Sequence, residues 1–268
     1  MNQPNGHKVR RINCHLAVAL LFTSLVAKAA GDANEFILIN GNTHFQSVLQ
    51  DNDAPSIRIN AFRMQQHPIT NAEYLSFVFT HSEWQRDKVA PIFANAEYLD
   101  HWQSPTVPGE HALPSQPVTR ISWFAAQAYC ESLHARLPTW YEWELVAAAN
   151  ESTQDARNDA AWRQRILDWY ATPASDSISA VMQSNPNVYG VYDMHGLVWE
   201  WILDFNALMD SNEAQKFCGG GALNLQQKEN FAVLMRVAML TSLHATDTLH
   251  ALGFRCARDA DSVEMPAP

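Results

Sequence analysis

The chain has 268 residues, 30.1 kDa, of which 47% are hydrophobic and 17% charged. Eighteen basic residues stand against 28 acidic ones, a net charge of -10. An acidic chain without a basic stripe repels phosphate, which excludes nucleic acid as a partner, and its 10% aromatic content with sparse charge excludes a disordered chain. In chain order, His7, Lys8, Arg10 and Arg11 precede an apolar run over 16–26, and Ala27-Lys28-Ala29 follows. Eleven apolar residues are too few to span a bilayer, which needs about 20. The pattern predicts a signal peptide over 1–29 cut after Ala29; a retained N-terminal anchor is the alternative. Cleavage removes four basic residues and no acid, leaving 14 against 28, a net -14. The expected location is periplasmic or secreted. No later run approaches membrane length, which predicts a soluble protein, read here as a monomer.

Residues 35–39 (EFILI) read as a strand closed by Asn40-Gly41, and 56–64 alternates like a single half-buried strand. A helix should start near Thr70 or Asn71 and bury Tyr74, Phe77 and Val78. Residues 84–118 are rich in proline and aromatics without sustained periodicity and predict ordered coil on the core. Ser122 caps a second helix. Thr139 caps a third, with Glu142 at capping-box spacing and Trp140, Trp143, Val146 and Ala147 facing inward. Glu142 and Glu144 are read as capping and ion-pairing groups. An amphipathic helix is expected over 160–169. The C-terminal third shows Gly, aromatics and few long periodic runs, and 260–268 reads as a flexible tail. After cleavage Cys130, Cys218 and Cys256 remain. An oxidising compartment favours one pair, and sequence alone leaves three pairings open. No histidine spacing reads as a metal site.

Four blocks stand in order: Pro68–Tyr74 (PITNAEY), Pro117–Glu144 (PVTRISW through RLPTWYEWE), Asn187–Trp201 (NVYGVYDMHGLVWEW), and Gly219-Gly220-Gly221 with Gly253–Arg258 (GFRCAR). Together they resemble the formylglycine-generating enzyme (sulfatase-modifying factor) family over 35–259. The resemblance implies a single compact α+β domain related to C-type lectins, with little regular secondary structure. It implies a disulfide between Cys130 and Cys256, leaving Cys218 either as an inert buried thiol or as a reactive or metal-ligating one. It also implies calcium held by the carboxylates of Asp193 and Glu200 and the carbonyls of Gly196 and Val198, a donor set suited to a hard cation. The alternative is that Asp193 caps a turn while Glu200 pairs with an arginine.

The family's oxidases hold copper through two cysteines beyond an RGGSW-like block, a soft pair suited to Cu(I). Here that block reads Cys218-Gly219-Gly220-Gly221-Ala222, and the copper positions fall on Asn224 and Glu229. Trp199 matches a pocket residue of the family. The resemblance therefore implies the scaffold without the copper pair and leaves any redox metal unknown. The leading expectation is an exported protein assisting oxidative maturation of a periplasmic protein or peptide-like product. Its pocket would lie among Trp199, Cys218, Asn224, Glu229 and Arg236, with Glu229 as base and Arg236 as anion holder. A non-catalytic lectin-like module for a protein or glycan, and a true formylglycine-generating oxidase acting on sulfatases, are the alternatives.

Overall fold

The computed structural model describes Met1 and residues 34–41, 43–50, 54–172, 177–209 and 231–261. It divides into two units, 1–33 and 34–268; apart from Met1, every described residue belongs to the second. The expected leader, Cys218, the Gly219–Gly221 run, Asn224, Glu229 and residues 262–268 lie outside the described residues.

Phe36–Ile39 form β1 inside the expected strand, but β1 does not turn back on its sequence neighbour. It pairs antiparallel with β4 (Phe62–Gln65), in register Phe36↔Gln65 to Ile39↔Phe62. β4 pairs on its other side with β7 (Ala257–Asp259), so the two ends of the domain share one three-stranded sheet. β2 (Thr43–Phe45) and β3 (Ile57–Ile59) form a separate antiparallel ribbon. The expected strand over 56–64 is thus two strands in two sheets, broken at Asn60-Ala61. Gly41 is needed for a close approach: a Cβ there would sit 1.8 Å from the Ala61 nitrogen.

Each early helix begins where a side chain can satisfy its free N–H groups. Thr70 caps α1 (Asn71–Thr80) in a full capping box with Glu73, and Tyr74, Phe77 and Val78 are buried as expected. Ser122 accepts from the Ala125 N–H to cap α2 (Trp123–Ser132). Thr139 and Glu142 form the second capping box, at the start of α3 (Trp140–Ala147). α3 is buried on every side, carrying Glu142 and Glu144 inward with its tryptophans. Asp159 caps α4 (Ala160–Ala171). Short 3-10 turns cover Ser82–Trp84 and Ala207–Met209.

The expectation of few periodic runs near the C-terminus is corrected by α5 (Phe231–Thr241). Its buried positions Val233, Arg236, Val237 and Leu240 follow helical spacing. β5 (Trp199–Glu200) pairs in parallel with β6 (Leu252–Gly253). Cys130 on α2 and Cys256 beside β7 are disulfide-bonded, with Cα atoms 5.5 Å apart and the two residues 126 positions apart in sequence. The 84–118 coil lies on the core, burying Ala94, Tyr98, Leu99, Trp102 and Ala112. Tyr74 stacks on Tyr129, with ring centres 5.7 Å apart. Among the described residues no helix is long and apolar enough to cross a membrane.

Candidate functional site

Trp199 and Glu200 occupy the two positions of β5. The strand is clasped by the C-terminal segment: the Trp199 N–H donates to Ala251 O at 2.8 Å and the Trp201 N–H to Gly253 O at 3.0 Å. Gly253 has to be glycine for this clasp, because a Cβ would stand 2.7 Å from Val118 O.

Glu200 is fully buried, and its charge is met from two sides. Arg255 donates from Nη2 to Oε1 at 2.7 Å and from Nε to both oxygens at 3.1 and 3.0 Å. The Trp143 indole N–H donates to Oε2 at 3.0 Å. Arg255 extends its remaining donors to the carbonyls of Tyr192, Gln65 and Gln66. A buried pair with each donor and acceptor satisfied is hard to open, since removing either partner strands a charge away from water. Asp193, at φ 56°, accepts from Met182 N–H at 2.7 Å and from Ser184 Oγ at 2.9 Å. Gly196, at φ 93°, is exposed and Val198 is buried.

These four positions are therefore arranged as a capped turn and a closed ion pair. Calcium would have to displace Arg255 and Trp143 from Glu200, so the contacts do not fit a cation cage, and the calcium reading rests on the resemblance alone. Among the described residues no group of three or more His, Cys, Asp or Glu side chains is placed to hold a metal.

Arg236 comes from α5 and is 1% exposed. Its guanidinium lies 3.5 Å above the centre of the Trp143 ring, and Nη2 donates to the Glu200 carbonyl at 2.8 Å. Burial lowers its pKa to about 10 although Glu200 pulls the other way, and its Nε has no hydrogen-bond partner among the described residues. Trp199 is covered by α4: Tyr170 stacks on it at 4.9 Å and 13°, and Trp169 leans on it at 5.2 Å. Burial lifts the Tyr170 phenol to about 12. His195 sits edge-on to Trp143 and Trp162, with Nε2 2.9 Å from Ala147 O. Burial pushes it down to about 4, which makes it a neutral hydrogen-bond donor.

Of the expected pocket, Trp199 and Arg236 thus flank one buried strand, while Cys218, Asn224 and Glu229 lie outside the described residues. Sequence reasoning missed the cover that α4 places on Trp199; Trp169-Tyr170 was visible only as the apolar end of an amphipathic helix. Glu142 and Glu144 behave as expected. Glu142 completes its cap and pairs with Arg136 at 2.7 Å, and Glu144 accepts from Val48 N–H at 2.7 Å and from Ser47 Oγ.

The fold and site define a class: a compact α+β domain whose WEW strand is clasped by a C-terminal GFRC segment tied back by a disulfide. Residues 22–260 match the sulfatase-modifying factor enzyme 1-like domain, and the chain belongs to that family. The match begins inside the expected leader. The formylglycine-generating enzyme of Thermomonospora curvata is 26% identical over 265 residues, covering 78% of this chain and 86% of that enzyme. Hercynine oxygenase of Mycobacterium tuberculosis is 27% identical over 195 residues, covering 63% and 46%. Serine/threonine-protein kinase pkn1 of Chlamydia pneumoniae is 26% identical over 179 residues, covering 64% and 28%. This chain therefore spans less than half of the oxygenase and of the kinase. Among solved structures, CarF covers 85% of this chain at 15% identity with a TM-score of 0.48.

Proposed function

We propose that this chain is an exported member of the sulfatase-modifying factor family that assists oxidative maturation of a periplasmic protein or peptide-like product without the family's copper cysteines. What supports it is a family match over nearly the whole chain, together with the count along the resembling block that puts Asn224 and Glu229 at the copper positions. Neither side chain can replace a thiolate on Cu(I). The leader pattern over 1–29 supports export. In this reading Trp199 and Asn224 line the pocket and Glu229 is the base. Arg236, buried under Trp143, contributes fixed positive charge below the pocket and does not grip a substrate directly.

Two measurements test this. Incubated with Cu(I), oxygen and a sulfatase-derived cysteine peptide, the purified mature protein should form no aldehyde; aldehyde together with bound copper would establish the formylglycine-generating oxidase instead. The protein should be recovered outside the cytoplasm with the intact mass of a chain starting at Ala30, and recovery only in the cytoplasm at full-length mass would remove export from the reading. A second reading, a lectin-like module that only binds, is favoured by one observation: α4 stacks Tyr170 on the face of Trp199. In that case Glu229→Gln and Trp199→Ala would leave maturation of the partner intact.

A further inference from the structure

In a chain dominated by acids, two arginines meet at one aspartate. Arg86 donates to the Asp100 carbonyl and Arg120 pairs with the Asp100 carboxylate, where the coil over 86–102, the turn before α2 and the loop after α5 meet. Main-chain contacts fuse these segments. Leu99 N–H donates to Arg120 O and Arg120 N–H to Leu249 O, each at 3.1 Å. Asn95 N–H donates to Thr246 O at 2.9 Å, and Thr248 Oγ1 to Asn95 Oδ1 at 2.6 Å.

Arg86 donates Nη1 to the carbonyls of Leu99, Asp100 and Trp102, neutral acceptors that leave its charge standing. Arg120 pairs through Nη1 with Asp100; their side chains are 28% and 40% exposed, so the cluster opens to water. Arg120 Nε and His101 Nδ1 are shut from solvent and have no hydrogen-bond partner among the described residues. Leaving such atoms unmet is costly. After burial, Arg120 does most to push the His101 imidazole down to about 4, with Asp100 pulling the other way, so His101 is neutral beside the two guanidinium groups. Asp100 is the carboxylate that Arg120 holds.

We propose that this cluster is a binding site for a small oxyanion, phosphate or carboxylate, gripped by Arg120 and Arg86, with Asp100 as the internal group it displaces. An oxyanion offers several acceptor lone pairs and a charge of the right sign, and a guanidinium fork suits it. The site shares no residue with the pocket of the maturation reading, so it stands whether or not that reading does.

The test is titration of inorganic phosphate, and separately of acetate, into the wild-type protein at low ionic strength, read by calorimetry and amide shifts at 95–102 and 246–250. Saturable binding of either anion is expected, and the anion that binds identifies the source chemistry. Arg120→Gln should weaken it about tenfold or more, and Asp100→Asn should tighten it severalfold by removing the competitor. Absence of saturable binding of both anions would overturn the proposal. So would a folded Arg120→Gln that binds like the wild type, or an Asp100→Asn that binds no better. Should Arg120→Gln fail to fold, Asp100→Asn alone decides.

Discussion

Glu144 lies at the centre of the residue-scale energetics. Burial raises its carboxyl to about 7 from 4.5, although Ser47, Val48 and Arg157 all favour the charged form. A carboxyl with a raised folded pKa binds its proton more tightly when folded. Its contribution to stability is complete below about pH 4.5 and is lost as pH rises through about 7. His195 and His101, both lowered to about 4 from 6.5, act in the opposite sense. Their contribution is complete above about pH 6.5 and is lost as pH falls toward 4. The slopes oppose each other between pH 4.5 and 6.5. Glu144→Gln should remove one of them, so that denaturant-measured stability climbs steadily from pH 4 to 6.5 while the wild type stays flatter. Identical profiles would show that Glu144 does not titrate in this range. Glu200 supplies the second residue-scale prediction. Because Arg255 and Trp143 hold both its oxygens, adding calcium or a chelator should leave the melting temperature unchanged; a calcium-dependent rise would show that the carboxylate can leave Arg255.

At the scale of elements, helix starts are local events and were legible. Thr70, Ser122 and Thr139 each cap the helix that follows from within three residues, so their neighbours in sequence decide the outcome. Thr139→Ala should lower the unfolding free energy by about 1 kcal/mol, measured by urea denaturation, since it removes the side-chain acceptor of the second capping box. A loss near zero would mean that burial of α3 alone sets its start. α5 was not legible for a physical reason. Its inward positions include Arg236, and its outward ones include the apolar Met235 and Ala238. The contrast between faces that reveals an amphipathic helix is therefore weak. The expected strand over 56–64 failed differently: its alternation is real, but β3 and β4 hydrogen-bond to different partners, and partner choice is not written in one strand's pattern.

For the molecule as a whole, the Cys130–Cys256 bond ties α2 to the segment that also supplies Arg255 and β7. Reduction or the double substitution C130A/C256A should cost about 2–5 kcal/mol by denaturant unfolding, through the freedom restored to the unfolded chain. An unchanged midpoint would show that the sheet β1-β4-β7 holds this end without it. The same clasp explains how a domain with short strands keeps order. β5 and β6 contribute two residues each, yet they are joined by the Glu200–Arg255 pair and by Trp201, which donates its indole N–H to Ile121 O at 2.8 Å.

By itself the sequence determined the family and the caps of the first three helices. Those features depend on residue identity within short stretches or on motifs whose order survives divergence. Only the tertiary structure decided that Glu200 belongs to Arg255, that Tyr170 covers Trp199 and that Arg86 and Arg120 meet at Asp100. Such pairings join residues 14 to 55 positions apart, and which groups meet is set by packing and charge balance across the fold, a property no local window contains.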